Sequence, residues 1–489
     1  NVKSKYGTGN DLEIYHDGGH SRIKDVGTGN LVLAASTSVN IDGNNGTNIA
    51  HFYESGVSEF YGSVSTPTLG TSNLRLGVNA GDSIVSGGNY NTVVGDEAGT
   101  AITTGGFNTA LGYAALDANT TGTANHAIGT SSLTNNTTGS NNTSVGSGSL
   151  YNNTTASNNT AVGYTALLAN TTGTSNVAVG KNALAANTTG PYNTSVGADS
   201  LDANTTGSAN TALGFKALGA NTTASNNTAV GADSLDATTT GSYNTALGAA
   251  SLSGNTTGAE NTAVGFRSLL SNTTASGNTG LGYTALQSNT TGAGNTASGF
   301  EALKVNTTGN NNTASGYQAL KNNSTASRNT AVGTSAMLAN TTGTLNVGLG
   351  SYALRFNTIG NENTAVGDAA LYANTTGVNN TAVGRTALEA NTSGDNNTAV
   401  GRLALGANTT GGNNTATGFQ ALRLNTTGAA NAAFGLYAML YNTTGANNVA
   451  VGQSALESNT TANSNTAVGY GALKANTTGF DNNGTGHHA

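Results

Sequence analysis

Cysteine is absent from the 489 residues, which excludes a disulfide framework and any thiolate-bound metal. Tryptophan is absent too, and proline occurs only as Pro67 and Pro191. Charged residues make up 8% of the chain, against about 25% in an average globular protein. The net charge of −7 is spread thinly. No basic tract is dense enough to follow a phosphate backbone, so nucleic acid is not an expected partner. No run of 18 apolar residues occurs, so no membrane insertion is expected. The chain opens at Asn1 with neither Met nor a signal-like segment, as a fragment or a trimmed chain would.

What the chain has instead is glycine (70 residues), Asn, Thr, Ala and Ser in a strict order. The segment 159–175 reads NTAVGYTALLANTTGTS, and the next 17 residues read NVAVGKNALAANTTGPY. Stepping by 17 lands on Gly95, Gly112, Gly129, Gly146, Gly163, Gly180, Gly197, Gly214 and onward to Gly469, 23 glycines without a slip. A fixed period of this size marks a repeat architecture. We number positions from this glycine as zero. Position −4 is Asn in every copy, beginning Asn91, Asn108, Asn125, Asn142, Asn159, Asn176, Asn193 and Asn210. Position −1 is mostly Val, Leu or Ile, and position +3 is always Ala or Ser. Position +4 is Leu or Met except at Gly99, and position +7 is Asn except at Ile102 and Thr238.

Seventeen residues hold two short extended pieces and two turns. In N-T-A-V, alternation places Thr and Val on one side and Asn and Ala on the other. Gly turns the chain, A/S-L forms the second piece, and N-T-T-G makes the second turn, since Asn and Gly tolerate left-handed backbone. Stacked coils would bring identical residues about 4.7–4.9 Å apart. Asn would then pass amide hydrogen bonds along a ladder. An apolar seam is expected from Val162, Leu167, Val179 and Leu184. The sequence thus predicts an all-β chain: a parallel β-solenoid or β-roll of about 23 coils over residues 73–489, preceded by a short-stranded β region over 1–72. A helical reading fails on the fixed Gly, Asn and Thr. Disorder fails on apolar columns held in phase. Two large apolar side chains make a thin core for 17 residues, which points to burial against sister chains.

Residues 1–72 break the period. Short runs stand between glycine turns: 11–15, 21–24, 30–34, 38–42, 49–53 and 57–61, with a link over 63–71. The string GTGNDLEIYHDGGHSRIKDVGTGNLVL at its start resembles a segment of tail-fibre and other structural proteins of marine tailed phages. That resemblance implies a trimeric, β-rich shaft. The motif N-T-A-V-G-x-x-A-L is similar to the head repeats of trimeric autotransporter adhesins, where three chains form parallel β-rolls on a shorter line. Similar arrays occur in phage tail fibres, often ahead of a self-cleaving chaperone domain that the C-terminus here does not show. The resemblances imply a homotrimer at the virion surface or in the extracellular space, with a host-surface glycan or protein as a partner.

Residues able to carry chemistry are scattered. Asp199 and Asp202, Asp233 and Asp236, and Asp96 and Glu97 occupy variable positions, as solvated carboxylates do, rather than a paired-acid groove. His16, His20, His51, His487 and His488 show no ligand spacing, so no metal and no cofactor are expected. Asn170-Thr171-Thr172 and its equivalents are glycosylation sequons, although turn and ladder chemistry explains the same letters. Position +1 is often aromatic, as at Tyr113, Tyr164, Phe215, Phe266, Tyr283, Phe300, Tyr317, Phe419 and Tyr470. These rings fit inter-chain contact, a sticky outer stripe, or cover for their own coil. No nucleophile–base constellation is discernible, so no enzyme is expected. The sequence favours a structural fibre protein, a phage tail fibre attaching to a host surface, with binding at an end or at variable positions such as Lys181, Lys216, Arg267 and Arg385. The alternatives are a bacterial adhesin or surface filament and an ice- or polysaccharide-binding solenoid using Thr171, Thr172, Thr188 and Thr189.

Overall fold

The computed structural model describes residues 3–6, 12–16, 21–25, 38–42, 48–53, 58–60 and 70–489. The chain forms two units, Asn1–Pro67 and Thr68–Ala489, so the division falls a few residues before the 72/73 boundary expected from the sequence. No helix is present among the described residues.

Among the described residues, the first unit contains two antiparallel three-stranded sheets. One runs β1 (Ser4–Tyr6), β2 (Leu12–His16), β3 (Ser21–Asp25), with Ile14 opposite Ile23. Lys3 and Lys5 both reach Glu13, at 3.0 and 3.4 Å, and hold its carboxyl below the usual range. The other runs β4 (Ser38–Asp42), β5 (Asn48–Tyr53), β6 (Ser58–Phe60). Strand β1 was not foreseen, and the run expected at 30–34 lies outside the described residues.

The second unit is a single parallel ladder of 25 three-residue strands, from β7 (Leu74–Leu76) to β31 (Asn483–Thr485). Each strand is the T-A-V piece of one coil. Thr160 pairs with Val177, Ala161 with Ala178, and Val162 with Val179, and this register holds from coil to coil. Twenty-four steps at the inter-strand spacing give a β-solenoid about 115 Å long.

The inside of the coil is Asn, Ala and Leu. Ala161, Ala166, Leu167 and the asparagines Asn159 and Asn170 are all fully buried. The expected seam therefore divides. Leu167 and Leu184 line the interior, whereas Val162 and Val179 lie half-buried on the outer face of the strands. Alternation fixes which residues share a side. The Asn–Ala side goes inward because the asparagines find hydrogen-bond partners there.

Backbone turns require two kinds of unusual residue. Gly163 has φ = 139°, a region open only to glycine, and a Cβ there would stand 2.4 Å from the Gly180 carbonyl oxygen. The buried leucine at +4 is also left-handed, with φ = 53° at Leu167 and 55° at Leu184. Residues at +2 and +4 are both left-handed, and their amides point in opposite directions along the rod. Thr165 N–H donates to Ser147 O (3.0 Å) in the preceding coil, and Leu167 N–H to Ala183 O (3.0 Å) in the next. The turn segment is thereby hydrogen-bonded to both neighbours, as a strand would be.

Candidate functional surface

Two asparagine columns run through the interior. In the first, the Asn108 N–H donates to Asn91 Oδ1 and the Asn125 N–H to Asn108 Oδ1, both at 2.9 Å. The same link joins Asn142, Asn159, Asn176, Asn193 and Asn210, each to its predecessor, at 2.8–3.1 Å. Each Nδ2 then spans its own coil, as Asn159 Nδ2 does to Gly173 O (3.0 Å). The regular amide-to-amide ladder belongs to the second column, at +7: Asn170 Nδ2 donates to Asn153 Oδ1 (2.9 Å), and Asn187 Nδ2 to Asn170 Oδ1 (2.8 Å). The first column, where the sequence placed its asparagine ladder, carries such bonds as well, as from Asn142 Nδ2 to Asn125 Oδ1 (3.1 Å) and from Asn210 Nδ2 to Asn193 Oδ1 (3.2 Å). There the oxygen accepts the backbone N–H of the following coil, in some rungs together with the side-chain amide, and that amide also braces its own coil, as Asn142 Nδ2 does to Ala156 O (2.9 Å).

Asn170 is thus buried and bonded on both sides, and a sequon at +7 is inaccessible in the folded rod. The two threonine rows also differ. Thr171 Oγ1 donates to Thr188 O (3.1 Å) and Thr188 Oγ1 to Thr205 O (3.0 Å), which leaves Thr172 and Thr189 as the exposed row.

Carboxylates lie outside the coils. Asp202 and Asp236 both reach the space a side chain at Gly219 would fill, 2.8 and 3.6 Å from that point for Asp236 and Asp202 respectively. Desolvation, then the neighbouring Asp199 and Asp233, push their carboxyls upward. Glu301 behaves oppositely. Lys304 (2.6 Å), Lys321 (2.7 Å) and Gln318 (2.9 Å) surround it and hold its pKa down at about 2. No cluster of three or more His, Cys, Asp or Glu able to hold a metal exists among the described residues. His487 and His488 pack on Tyr470. His20 lies outside the described residues, and His51 is described by its backbone alone.

The variable outer positions carry the surface character. Phe266, Tyr283, Phe300 and Tyr317 stack in sequence with centroids 5.6, 5.2 and 5.3 Å apart. Arg267 lies over Phe266, and Lys216 over Phe215. Lys181 and Arg385 are exposed on the same corner, with Arg385 3.6 Å from Asp368. On the strand face, the −1 column presents an apolar row to the outside, with Leu213 and Leu247 each 46% exposed.

A β-solenoid of this length fits an elongated, fibre-like structural protein. No helix is long and apolar enough to cross a membrane among the described residues. Comparison with known proteins finds no matching family model, no similar curated protein and no similar solved structure.

Proposed function

We propose that the chain is the shaft of a homotrimeric tail fibre, a non-enzymatic rod at the virion surface that carries attachment to a host cell envelope. The observation that supports this reading is the unbroken 25-strand ladder whose outer strand face carries a mostly apolar row, interrupted at Ser298, Ser315 and Thr417. Monomeric soluble proteins rarely leave long apolar strips uncovered. The row keeps the same register from coil to coil and suits a sister rod lying alongside. The thin Asn–Ala–Leu interior gives each coil little apolar burial of its own, so covering the Val and Leu row against two sister chains adds stability where it is needed.

Light scattering tests the assembly. The expected mass is three times 48.1 kDa, and a monomer would overturn the reading. Replacing Leu213 and Leu247 with Lys should reduce the mass to that of one chain without loss of β-structure, because both side chains point away from the coil interior. Adsorption of the purified rod to candidate host cells tests attachment separately.

A further inference from the structure

The outer strand face of the rod is free of fixed charge. In each three-residue strand the middle side chain faces the interior and the outer two, at −3 and −1, face outward. From β7 to β31 no outward position holds Asp, Glu, Lys or Arg. The chain's 16 basic and 23 acidic residues all lie elsewhere. The −3 column is mostly Thr, and the −1 column is mostly Val or Leu. Depletion of charge marks the covered centre of an interface. The partner whose uncharged strip has the same length and the same period is a second copy of this chain.

One outward residue titrates. His126 stands where Thr is usual, in β10 (His126–Ile128), and it is exposed on the single rod. Its strand neighbours in the −3 column are Thr109 and Thr143, and Leu111, Ile128 and Val145 form the −1 column beside it. No Asp, Glu, Lys or Arg occurs between Asp117 and Lys181. The carboxylates of the preceding coils, Asp96, Glu97 and Asp117, stand at +1, +2 and +5, past the glycine corner, and Glu97 is engaged by the Tyr113 hydroxyl. An imidazolium at 126 thus has no counter-charge on its own strand face. The strand face of a sister rod offers none either, whichever way that rod runs.

We propose that His126 makes the contact between sister rods pH-sensitive at the first coils of the ladder. The neutral imidazole is covered there together with the Thr and Leu/Val columns, and the protonated ring opens the contact. Histidine is the side chain whose charge changes between about pH 5 and 8, and removal from water disfavours a charged form. The associated state therefore binds fewer protons than the separated rods, so association is favoured toward neutral pH and weakens as the pH falls. The opening is local. β10 is the fourth strand of the ladder, and every later strand keeps an outward face that does not titrate. This rests on the assembly reading above and adds a regulation to it.

The absence of cysteine supplies a clean probe. Ile128→Cys places one thiol on the strand face beside His126, and Leu247→Cys, in a second protein, places one in the same column farther along. Each is labelled with a neutral maleimide at about pH 7.5 and about pH 5.5, across the histidine range. Dividing the first rate by the second cancels the thiol's own pH dependence. The ratio should rise several-fold at the lower pH. His126→Thr, which restores the usual residue of the column, should make it flat, and His126→Arg should keep it high at both values. Circular dichroism checks that the fold is kept. A flat ratio with His126 in place, or a rise that persists in His126→Thr, would overturn the proposal. Light scattering on the same samples separates the two readings: a trimer with a flat ratio removes the switch alone, and a monomer at both pH values removes the assembly and the switch with it.

Discussion

Thr238 breaks the +7 amide ladder, and Asn221 registers the break. Its Oδ1 is buried with no hydrogen-bond partner among the described residues, because Thr238 donates its own hydroxyl to Asn255 O (3.2 Å) instead. Leaving a buried acceptor unpaired costs about 1–3 kcal/mol. Thr238→Asn should restore the ladder and raise stability by about 1–2 kcal/mol in urea unfolding; a loss of stability would show that the site cannot seat an amide. Glu301 makes a pH prediction. Its carboxyl is held at about 2, below the ordinary 4.5. It therefore contributes stability that is fully present above 4.5 and is lost as the pH falls toward 2. Glu301→Gln should flatten the fall of the urea midpoint across that window. Asp202 and Asp236 have the opposite sign, since their raised carboxyls are relieved by protonation. The corner glycine was legible from its phase alone, and so was the asparagine column at Asn91. Two features were not. The left-handed φ of Leu167 runs against local preference and is imposed by hydrogen bonds to coils on both sides. The second amide ladder, through Asn153, Asn170 and Asn187, falls on letters that a turn alone would also use.

The coil as a unit explains departures that look like noise in the sequence. Gly99 and Ile102 are the lone exceptions at +4 and +7 in the first regular coil, and they belong together. Ile102 is fully buried, and its Cδ1 lies 2.7 Å from where a Cβ on Gly99 would stand. The preceding coil repeats the exchange with Gly81 and Ile84, at 2.9 Å. The isoleucine thus fills the volume that leucine fills elsewhere. Ile102→Asn alone should cost about 2–4 kcal/mol through a lost apolar side chain. Gly99→Leu alone should be destabilising by overlap. Together they should cost less than the sum, a coupling that a double-mutant cycle by urea unfolding would measure; simple additivity would contradict the exchange. Buried serines show the same pairing, since Ser144 contacts Ser149 and Ser195 contacts Ser200 within one coil, each at 2.5 Å. At this scale the alternation of N-T-A-V was readable, but not which side faces in. That choice was settled by hydrogen-bond partners for Asn159, so Val162 went outside and the seam was built from Ala161 and Leu167.

The solenoid as a whole is quasi-one-dimensional, because each coil touches only its neighbours. Damage should therefore stay local. Asn170→Ala removes one rung of the ladder and should speed hydrogen exchange in the coils carrying Asn153 and Asn187, while the coil of Asn408 keeps its protection. A uniform loss of protection along the rod would contradict this. The length of the ladder was legible, since 23 glycines in phase leave little room for another arrangement. The outward apolar row was not, because its meaning depends on which side of the strand the interior takes.

The account rests on register: each coil lies on the last with like side chains superposed. An experimental density map at side-chain detail tests it most directly. The expected result is Asn125 Oδ1 within hydrogen-bond distance of the Asn142 backbone nitrogen, 3.1 Å, with strands about 4.7–4.9 Å apart along the rod. Asparagines of successive repeats lying on different faces, or separated by an intervening strand, would contradict it.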